Sequence, residues 1–226
     1  MTRAPTPDDL AAVDAVLFDM DGTLVDSEPI WFAVMQEVAA QFGAPLPDDA
    51  HAHLRGVDRD AGMALLRARY GLEVDPPAFW DAVMARLVDA VAAVPAMPGA
   101  AAWVEALVAA GRPRAVVSNS PRAMIEASLA PHPWGAHVTV RLGADEVPRP
   151  KPAPDGYRLA AQRLGVAPER CLVLEDSEAG VLAARAAGAA SLLITRGEAP
   201  SRAAREAATW EVATLEAVRP TFDPVR

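Results

Sequence analysis

Several residue types and segments that mark other classes of protein are scarce in this sequence. Cys171 is the single cysteine among the 226 residues, which excludes an internal disulfide. Its place at the head of an apolar segment predicts a small buried core residue rather than a reactive thiol. No uninterrupted apolar run approaches the ~20 residues that are needed to span a bilayer. Residues 1–14 carry prolines and acids without an apolar segment, so we expect no signal peptide and a cytoplasmic protein.

Positive charge is also in short supply. The chain has 21 lysines and arginines against 30 aspartates and glutamates, which gives a net charge of -9 and a pI of about 4.9. This balance argues against nucleic acid or an anionic membrane as a partner. Small anionic substrates remain allowed, because a bound metal and a few cations reverse the field locally. No convincing metal-binding spacing is formed by the four histidines, His51, His53, His132 and His137.

Apolar runs without alternation, typical of strands buried on both faces, are separated by helical spacing over much of the chain. No strand pattern is present between residues 29 and 94. We therefore predict an α/β fold, with a doubly wound parallel-sheet core at residues 1–28 and 95–226 and an inserted all-helical domain at residues 29–94. The tail after Gly197 is predicted to be helical, with Trp210 packing back on the core. The predicted strands are residues 16–18, 115–117, 137–140, 171–174 and 191–194.

The first predicted strand ends abruptly on two carboxylates, Asp19 and Asp21, which are followed by Gly22. The two acids lie on the same side while the chain stays extended, and Gly22 allows the backbone to turn away sharply. Reacting groups in open α/β sheets gather at the carboxyl ends of the strands. Asp-Gly is also a common turn dipeptide, so this segment alone leaves a plain surface turn open.

Three later segments supply partners for these acids. Ser118 and Asn119 follow the second strand, Glu175 and Asp176 follow a later strand, and Lys151 lies between the two pairs. Each residue alone is typical of a turn, a helix cap or a solvated charge. Taken together over nearly the whole chain, acid pair, hydroxyl, lysine and acid pair resemble the four motifs of the haloacid dehalogenase superfamily.

The resemblance implies phosphoryl transfer. In that superfamily the position of Asp19 holds a phosphoryl-accepting nucleophile, and the position of Asp21 holds a general acid and base. Ser118, Asn119 and Lys151 match the region that binds phosphate. Members that cleave carbon–halogen bonds have a different residue at the position of Asp21. The resemblance therefore implies hydrolysis of a phosphate monoester through an aspartyl-phosphate intermediate on Asp19.

A magnesium site is implied by the same resemblance. Mg²⁺ prefers oxygen ligands in octahedral geometry. The expected ligands are the carboxylates of Asp19 and Asp176 and the main-chain carbonyl of Asp21. Glu175 is expected to steady a water beside the ion.

The helical insert resembles the cap domain of the subgroup that includes the β-phosphoglucomutases and the hexitol and 2-deoxyhexose phosphate phosphatases. Residues 26–31 resemble the phosphatases most, and they lack the histidine that the mutases carry nearby. Pro150 stands where the superfamily has a glycine before its lysine. In the cap, Arg59 is the first candidate for contact with a bound anion, and Arg55 is the second.

The sequence therefore predicts a cytoplasmic, Mg²⁺-dependent phosphatase that acts as a monomer on a small phosphorylated metabolite, a sugar or polyol phosphate. A phosphosugar mutase of the β-phosphoglucomutase type is the alternative on the same fold. A catalytically idle phosphate-binding module, or a phospho-accepting signalling domain with the same type of sheet, is a further alternative. The complete set of motifs and the large insert argue against it.

Overall fold

A six-stranded parallel sheet forms the centre of the protein. The computed structural model describes residues 3–54 and 59–224, with residue 59 described by its backbone alone. Every pair of neighbouring strands in the sheet is parallel. The strands are β1 (Ala15–Phe18), β2 (Arg114–Val117), β3 (Val140–Leu142), β4 (Cys171–Glu175), β5 (Ala190–Ile194) and β6 (Trp210–Val212), in the spatial order β3-β2-β1-β4-β5-β6.

The central strand β1 lies between β2 and β4, and all its residues are buried. Its near-continuous apolar sequence suits a strand that is covered by helices on both faces. Phe18 pairs in register with Val116 of β2 and with Leu174 of β4. Because the strands are parallel, the segments that follow β1, β2 and β4 meet at one edge of the sheet. Strand order reverses at this point, which is where open α/β sheets place their ligands.

Helices cover the sheet and also form a separate group. Tyr157 and Ala160 pack in one buried cluster with residues of β1, β2 and β4, together with Ala183 and Ala184. Among the described residues, no helix combines the length and the apolar character needed to cross a membrane. The helices are α1 (Pro7–Ala11), α2 (Glu28–Gln41), α3 (Ala50–Leu54), α4 (Arg59–Tyr70), α5 (Pro76–Ala90), α6 (Ala100–Ala109), α7 (Arg122–Leu129), α8 (Asp155–Leu164), α9 (Glu178–Ala187) and α10 (Arg202–Ala207).

The chain divides into two compact units. The first comprises Met1–Asp26 and Pro95–Arg226 and contains the whole sheet, and the second comprises Ser27–Val94. The described part of the second unit contains helices α2 to α5 and no strand. Helices α2 and α5 pack together there, and Phe79 of α5 is fully buried. In the sequence, this unit, whose described part is helical, is therefore inserted between β1 and β2.

Strand β3 lies further along the chain than the predicted strand at residues 137–140. His137 ends a short 3-10 helix, and the strand begins only at Val140. Its register is set by β2, where Val116 pairs with Arg141. Arg141 is tolerated in this edge strand because its guanidinium donates to two main-chain carbonyls and pairs with Glu126. Arg141 interrupts the apolar pattern of β3, so the sequence pattern did not reveal the strand at these residues.

The prediction of a helical tail after Gly197 was only half right. Helix α10 forms, but Trp210 begins β6, which pairs with β5 at the sheet edge. Three residues are too short to show alternation, so nothing in the local sequence distinguished this strand from the alanine-rich helix before it. The pairing partner decided its conformation.

Candidate active site

Asp19 and Asp21 stand directly beyond the end of β1. The Asp19 N–H donates to the carbonyl of Leu174 at 2.9 Å, so the chain stays paired with β4 up to the first acid. Gly22 then takes a φ of +79° and its N–H donates to the carbonyl of Val25 at 2.8 Å. The turn that was predicted from the Asp-x-Asp-Gly segment is present.

Lys151 joins the acids of two strands. Its ammonium donates to Asp19 Oδ1 at 2.6 Å and to Glu175 Oε1 at 2.5 Å, and its side chain is only 5% exposed. Asn119 holds the loop that carries this lysine. The Asn119 side chain accepts a hydrogen bond from the Lys151 N–H at 2.9 Å and donates to the Lys151 carbonyl at 3.1 Å. The carboxamide of Asn119 thus ties the lysine loop to the segment that follows β2.

The hydroxyl groups after β2 face the second acid. Ser118 Oγ donates to Asp21 Oδ2 at 3.2 Å, and Ser120 Oγ donates to the same oxygen at 3.0 Å. The Ser120 N–H donates to Ser118 Oγ at 3.0 Å, which fixes the first hydroxyl. Asp21 is therefore held by two hydroxyl groups, while Asp19 is held by the lysine.

Glu175 and Asp176 complete the cluster at the end of β4. Glu175 is fully buried, and its Oε2 accepts from the N–H of Ser177 at 3.1 Å and from the Ser177 hydroxyl at 2.8 Å. The Ser177 hydroxyl also accepts from the N–H of Gly180, which caps the start of α9. The helix cap and the acid cluster therefore share one serine.

Two glycines allow the acids to approach the backbone. A Cβ at Gly180 would lie 1.8 Å from the carboxyl carbon of Glu175, and a Cβ at Gly22 would lie 2.0 Å from Asp176 Oδ2. Both distances are far below any van der Waals contact, so no larger residue fits without moving a carboxylate. Gly22 also has a backbone conformation that L-residues rarely adopt.

Burial, followed by the charges of neighbouring groups, dominates the electrostatics of the cluster. Burial raises the pKa of Asp19 well above its usual value; Lys151 opposes the rise, whereas Glu175, Asp176 and Asp21 reinforce it. Burial, reinforced by the charge of Glu175, raises the pKa of Asp176 to about 7. Burial alone would lower the pKa of Lys151, but Asp19 and Glu175 outweigh it and the pKa lies well above its usual value. The lysine therefore keeps its positive charge.

The same cluster fits a metal ion of the magnesium type. Asp19, Glu175 and Asp176 each offer an oxygen, and these oxygens lie within 4.8 Å of one another. Carboxylate oxygens are the hard donors that Mg²⁺ prefers. The charge of Glu175 contributes to the raised pKa of Asp176, and a divalent cation would relieve that repulsion. Donor chemistry and electrostatics therefore both agree with a cation at this position.

The structure does not describe the side chains of the two arginines that were predicted to contact the substrate from the cap. Arg55 lies outside the described residues, and Arg59 is described only as the first residue of α4. The structure brings the other predicted site residues together at the carboxyl ends of β1, β2 and β4 and in the lysine loop that contacts them. These residues are Asp19, Asp21, Ser118, Asn119, Lys151, Glu175 and Asp176.

Several residues of this network were missed from the sequence. Ser120 and Ser177 directly follow the predicted residues Asn119 and Asp176, and a hydroxyl at such a position, able to donate to a nearby carboxylate, was the available signal. Gly180 lies inside helix α9, and a glycine within a helix indicates a close packing contact. Tyr157 lies on the buried face of α8, and the available signal was that a buried tyrosine hydroxyl needs a partner.

Arg196 is a further residue near the acid cluster that the sequence analysis did not identify, and it has an unusual backbone conformation. It follows β5 and is the one non-glycine residue of the described chain with a positive φ, 53°. Such a conformation is unfavourable for a residue with a Cβ and persists only where the surrounding structure holds it. Its guanidinium donates to Asp26 Oδ1 at 3.3 Å, and its charge opposes the rise in the pKa of Asp176.

Comparison with known proteins assigns the family. The sequence model of the haloacid dehalogenase-like hydrolases matches residues 13–188. The chain belongs to the haloacid dehalogenase-like hydrolase family. This membership confirms the resemblance drawn from the four motifs, and the parallel sheet with an inserted helical unit confirms the predicted fold class.

Individual members of the haloacid dehalogenase-like family cover most of the chain. The chain is 35% identical over 178 residues to fructose-1-phosphate phosphatase YqaB of Escherichia coli K12, and the matched region covers 76% of this chain and 92% of that protein. It is 36% identical over 178 residues to hexitol phosphatase A of the same strain, with coverage of 76% and 78%. A crystal structure of a haloacid dehalogenase family hydrolase from Deinococcus radiodurans R1, with bound phosphate and sodium, has a TM-score of 0.73 and 37% identity and covers 92% of this chain and 93% of its own.

Proposed function

We propose that this protein is a Mg²⁺-dependent phosphatase that hydrolyses a small phosphate monoester through an aspartyl-phosphate intermediate. The observation that carries the proposal is the convergence of Asp19, Asp21, Ser118, Lys151 and Asp176 at one edge of the parallel sheet. The predicted enzyme class, a phosphoric monoester hydrolase, is confirmed by the family and by relatives named as phosphatases. Those relatives also favour a sugar or polyol phosphate as the substrate.

Asp19 is the proposed nucleophile. A carboxylate oxygen of Asp19 attacks phosphorus while the bond to the ester oxygen breaks, which leaves an acyl phosphate on Asp19. Water then attacks the acyl phosphate, releases inorganic phosphate and regenerates the carboxylate. Repulsion between the carboxylate and the dianionic ester must be offset, and the ammonium of Lys151, 2.6 Å from Asp19, supplies one fixed positive charge.

Asp21 is the proposed general acid and base. In its protonated form it gives a proton to the leaving alkoxide, and as the carboxylate it takes one from the attacking water. The hydroxyls of Ser118 and Ser120 donate to its Oδ2, which supports a fixed orientation for both transfers. The main-chain N–H of Asn119 and the Ser118 hydroxyl are the proposed donors to phosphoryl oxygens, beside Lys151. Ser118 has a single hydroxyl proton, so it turns from Asp21 to the phosphoryl group when the ester binds, and Ser120 then continues to hold Asp21.

The proposed metal site uses the carboxylates of Asp19 and Asp176 and the main-chain carbonyl of Asp21, with Glu175 steadying a water beside the ion. When bound, Mg²⁺ supplies positive charge that stabilises the phosphoryl oxygens in the transition state. Glu175 is held in place by donors from Lys151 and Ser177, which supports a fixed acid cluster. We further propose that the unit containing the sheet is the catalytic core and that the helical unit is a cap that selects the substrate.

A substrate panel with metal removal tests this function. Phosphate release is measured on phosphorylated sugars, polyols, glycolate and nucleotides, before and after exhaustive chelation and after Mg²⁺ is restored. We expect the highest kcat/KM on a sugar or polyol phosphate, loss of activity on chelation and recovery with Mg²⁺. Mg²⁺ should also raise the Tm of the wild type but not that of Asp176→Asn. Activity that survives chelation, or none on any ester, would contradict the proposal.

A separate measurement on one substrate distinguishes hydrolysis from isomerisation. Residues 27–31 contain no histidine, and neither Ile30 nor Trp31 offers a side-chain group that accepts a proton, so the histidine of the mutases has no counterpart there. With β-glucose 1-phosphate and a trace of the 1,6-bisphosphate, phosphorus NMR should show inorganic phosphate as the product. Glucose 6-phosphate that accumulates faster than inorganic phosphate would support the mutase instead.

Arg59 is proposed to contact the substrate from the helical unit. If the contact is equal in the ground and transition states, Arg59→Ala should mainly raise KM. Loss of a charge-assisted hydrogen bond corresponds to roughly a tenfold to a hundredfold drop in kcat/KM. The drop should be larger on the preferred substrate than on an aryl phosphate. The exposed Arg69 on the same helix provides the control, and Arg69→Ala should leave both constants unchanged. Equal constants for Arg59→Ala and wild type would remove Arg59 from the site.

A further inference from the structure

Tyr157 is a fully buried tyrosine whose only polar atom reaches into the acid cluster. It lies on α8, six residues after Lys151 in the chain, and is 1% exposed. Its hydroxyl donates to Glu175 Oε1 at 2.8 Å. Core packing alone would be satisfied by phenylalanine, which fills the same space without a polar atom that needs a partner. The hydroxyl therefore indicates a requirement beyond packing.

The aromatic ring of Tyr157 contacts the other member of the same ion pair. The Lys151 ammonium lies 4.9 Å from the ring centroid, within the range of a cation–π interaction. The same ammonium donates to Asp19 Oδ1 and to Glu175 Oε1. Tyr157 thus touches the acid with its hydroxyl and the cation with its ring.

Glu175 Oε1 is the atom on which these contacts converge. It accepts from both Tyr157 and Lys151, while the second oxygen, Oε2, accepts from the N–H and the hydroxyl of Ser177. A carboxylate has about four acceptor positions, so this set fixes its orientation. The backbone of Gly180 lies so close to this carboxylate that a Cβ there would be 1.8 Å from its carbon. Loss of the Tyr157 hydroxyl would release one of the two donors on Oε1.

We propose that Tyr157 is a positioning residue that locks the Glu175 carboxylate against Lys151 and thereby aims the ammonium at Asp19. A lysine ammonium is a point charge on a flexible stem, so its direction has to be imposed by its neighbours. This inference rests on the proposed function, in which Lys151 offsets the charge that develops as Asp19 attacks phosphorus. The ammonium of Lys151 stabilises the transition state more than the ground state, so loss of its alignment lowers kcat more than it raises KM.

Tyr157→Phe tests the inference, because it keeps the ring and removes the hydroxyl alone. We expect kcat to fall roughly tenfold, the scale of one hydrogen bond to a charged group, with KM within about threefold of wild type. Affinity for orthovanadate, which mimics the transferring phosphoryl group, should fall in parallel with kcat/KM. Affinity for inorganic phosphate should change little, and Tm should stay within a few degrees. Tyr70→Phe, at the other tyrosine of the chain, is the matched control and should retain wild-type constants.

Three outcomes would overturn this role for Tyr157. An unchanged kcat shows that the hydroxyl does not position the lysine. An equal loss of vanadate and phosphate affinity points to a binding defect rather than to alignment. A large fall in Tm without a selective loss of kcat assigns Tyr157 to the core alone. An inactive wild-type enzyme would instead contradict the proposed function, so the two failures are distinguishable.

Discussion

Asp19→Asn is expected to abolish turnover while the protein remains folded. The carboxamide has nearly the shape of the carboxylate but is not a nucleophile, so no acyl phosphate can form on it. Removal of a residue that forms the covalent intermediate lowers kcat by on the order of 10⁴-fold or more. Stability should not suffer, because burial and neighbouring acids already raise the pKa of Asp19, and a neutral side chain relieves that crowding.

Steady-state kinetics on the best substrate of the panel, with Tm measured in parallel, checks the expectation for Asp19. A phosphoenzyme trapped by rapid quenching should be sensitive to hydroxylamine in the wild type and absent from the variant. Asp8→Asn, at an exposed acid of α1, removes the same charge away from the site and should keep full activity. Turnover by Asp19→Asn within tenfold of wild type would rule out Asp19 as the nucleophile.

Gly180→Ala is expected to disable the site through one methyl group. Alanine inside a helix is normally better than glycine by about 0.5–1 kcal/mol, so propensity alone predicts a more stable protein. Here the new Cβ would stand 1.8 Å from the Glu175 carboxyl carbon, and the carboxylate would have to leave its position. Overpacking of this kind costs about 1–3 kcal/mol. Displacement of a supporting group by about 1 Å lowers kcat on the order of a hundredfold.

Gly62→Ala supplies the control for Gly180→Ala. Gly62 lies in helix α4, and a Cβ there would meet none of the described atoms within 4 Å. This variant should be slightly more stable than wild type and equally active, whereas Gly180→Ala should be less stable and severely impaired. Thermal unfolding and kcat/KM, measured for both variants and for the wild type, test this difference. If Gly180→Ala behaved like Gly62→Ala, the close approach between helix α9 and Glu175 would not matter to the enzyme.

The amino-acid sequence by itself determined the inner strands and the residues at their ends. Strands β1, β2, β4 and β5 consist mainly of apolar residues, and almost all their positions are buried. Such runs carry their own signal because they lack the alternation of a strand with one exposed face. The acids and hydroxyls that follow three of them are polar residues at the point where the apolar run stops. Parallel pairing brings those points to one edge, so local pattern and fold class together were sufficient to predict which residues meet there.

The tertiary structure alone decided the edge strands and the supporting contacts. Strand β6 and the register of β3 depend on the neighbouring strand that each one pairs with, and short or charged edge strands have no periodicity of their own. Tyr157 reaches Glu175 from α8, before strand β4, and Gly180 reaches it from α9, after that strand. Distances of this kind arise from packing between elements, and no local sequence pattern encodes them. The sequence thus determined which polar groups meet at the ends of the strands, and the packing of α8 and α9 on the sheet decided how those groups are held.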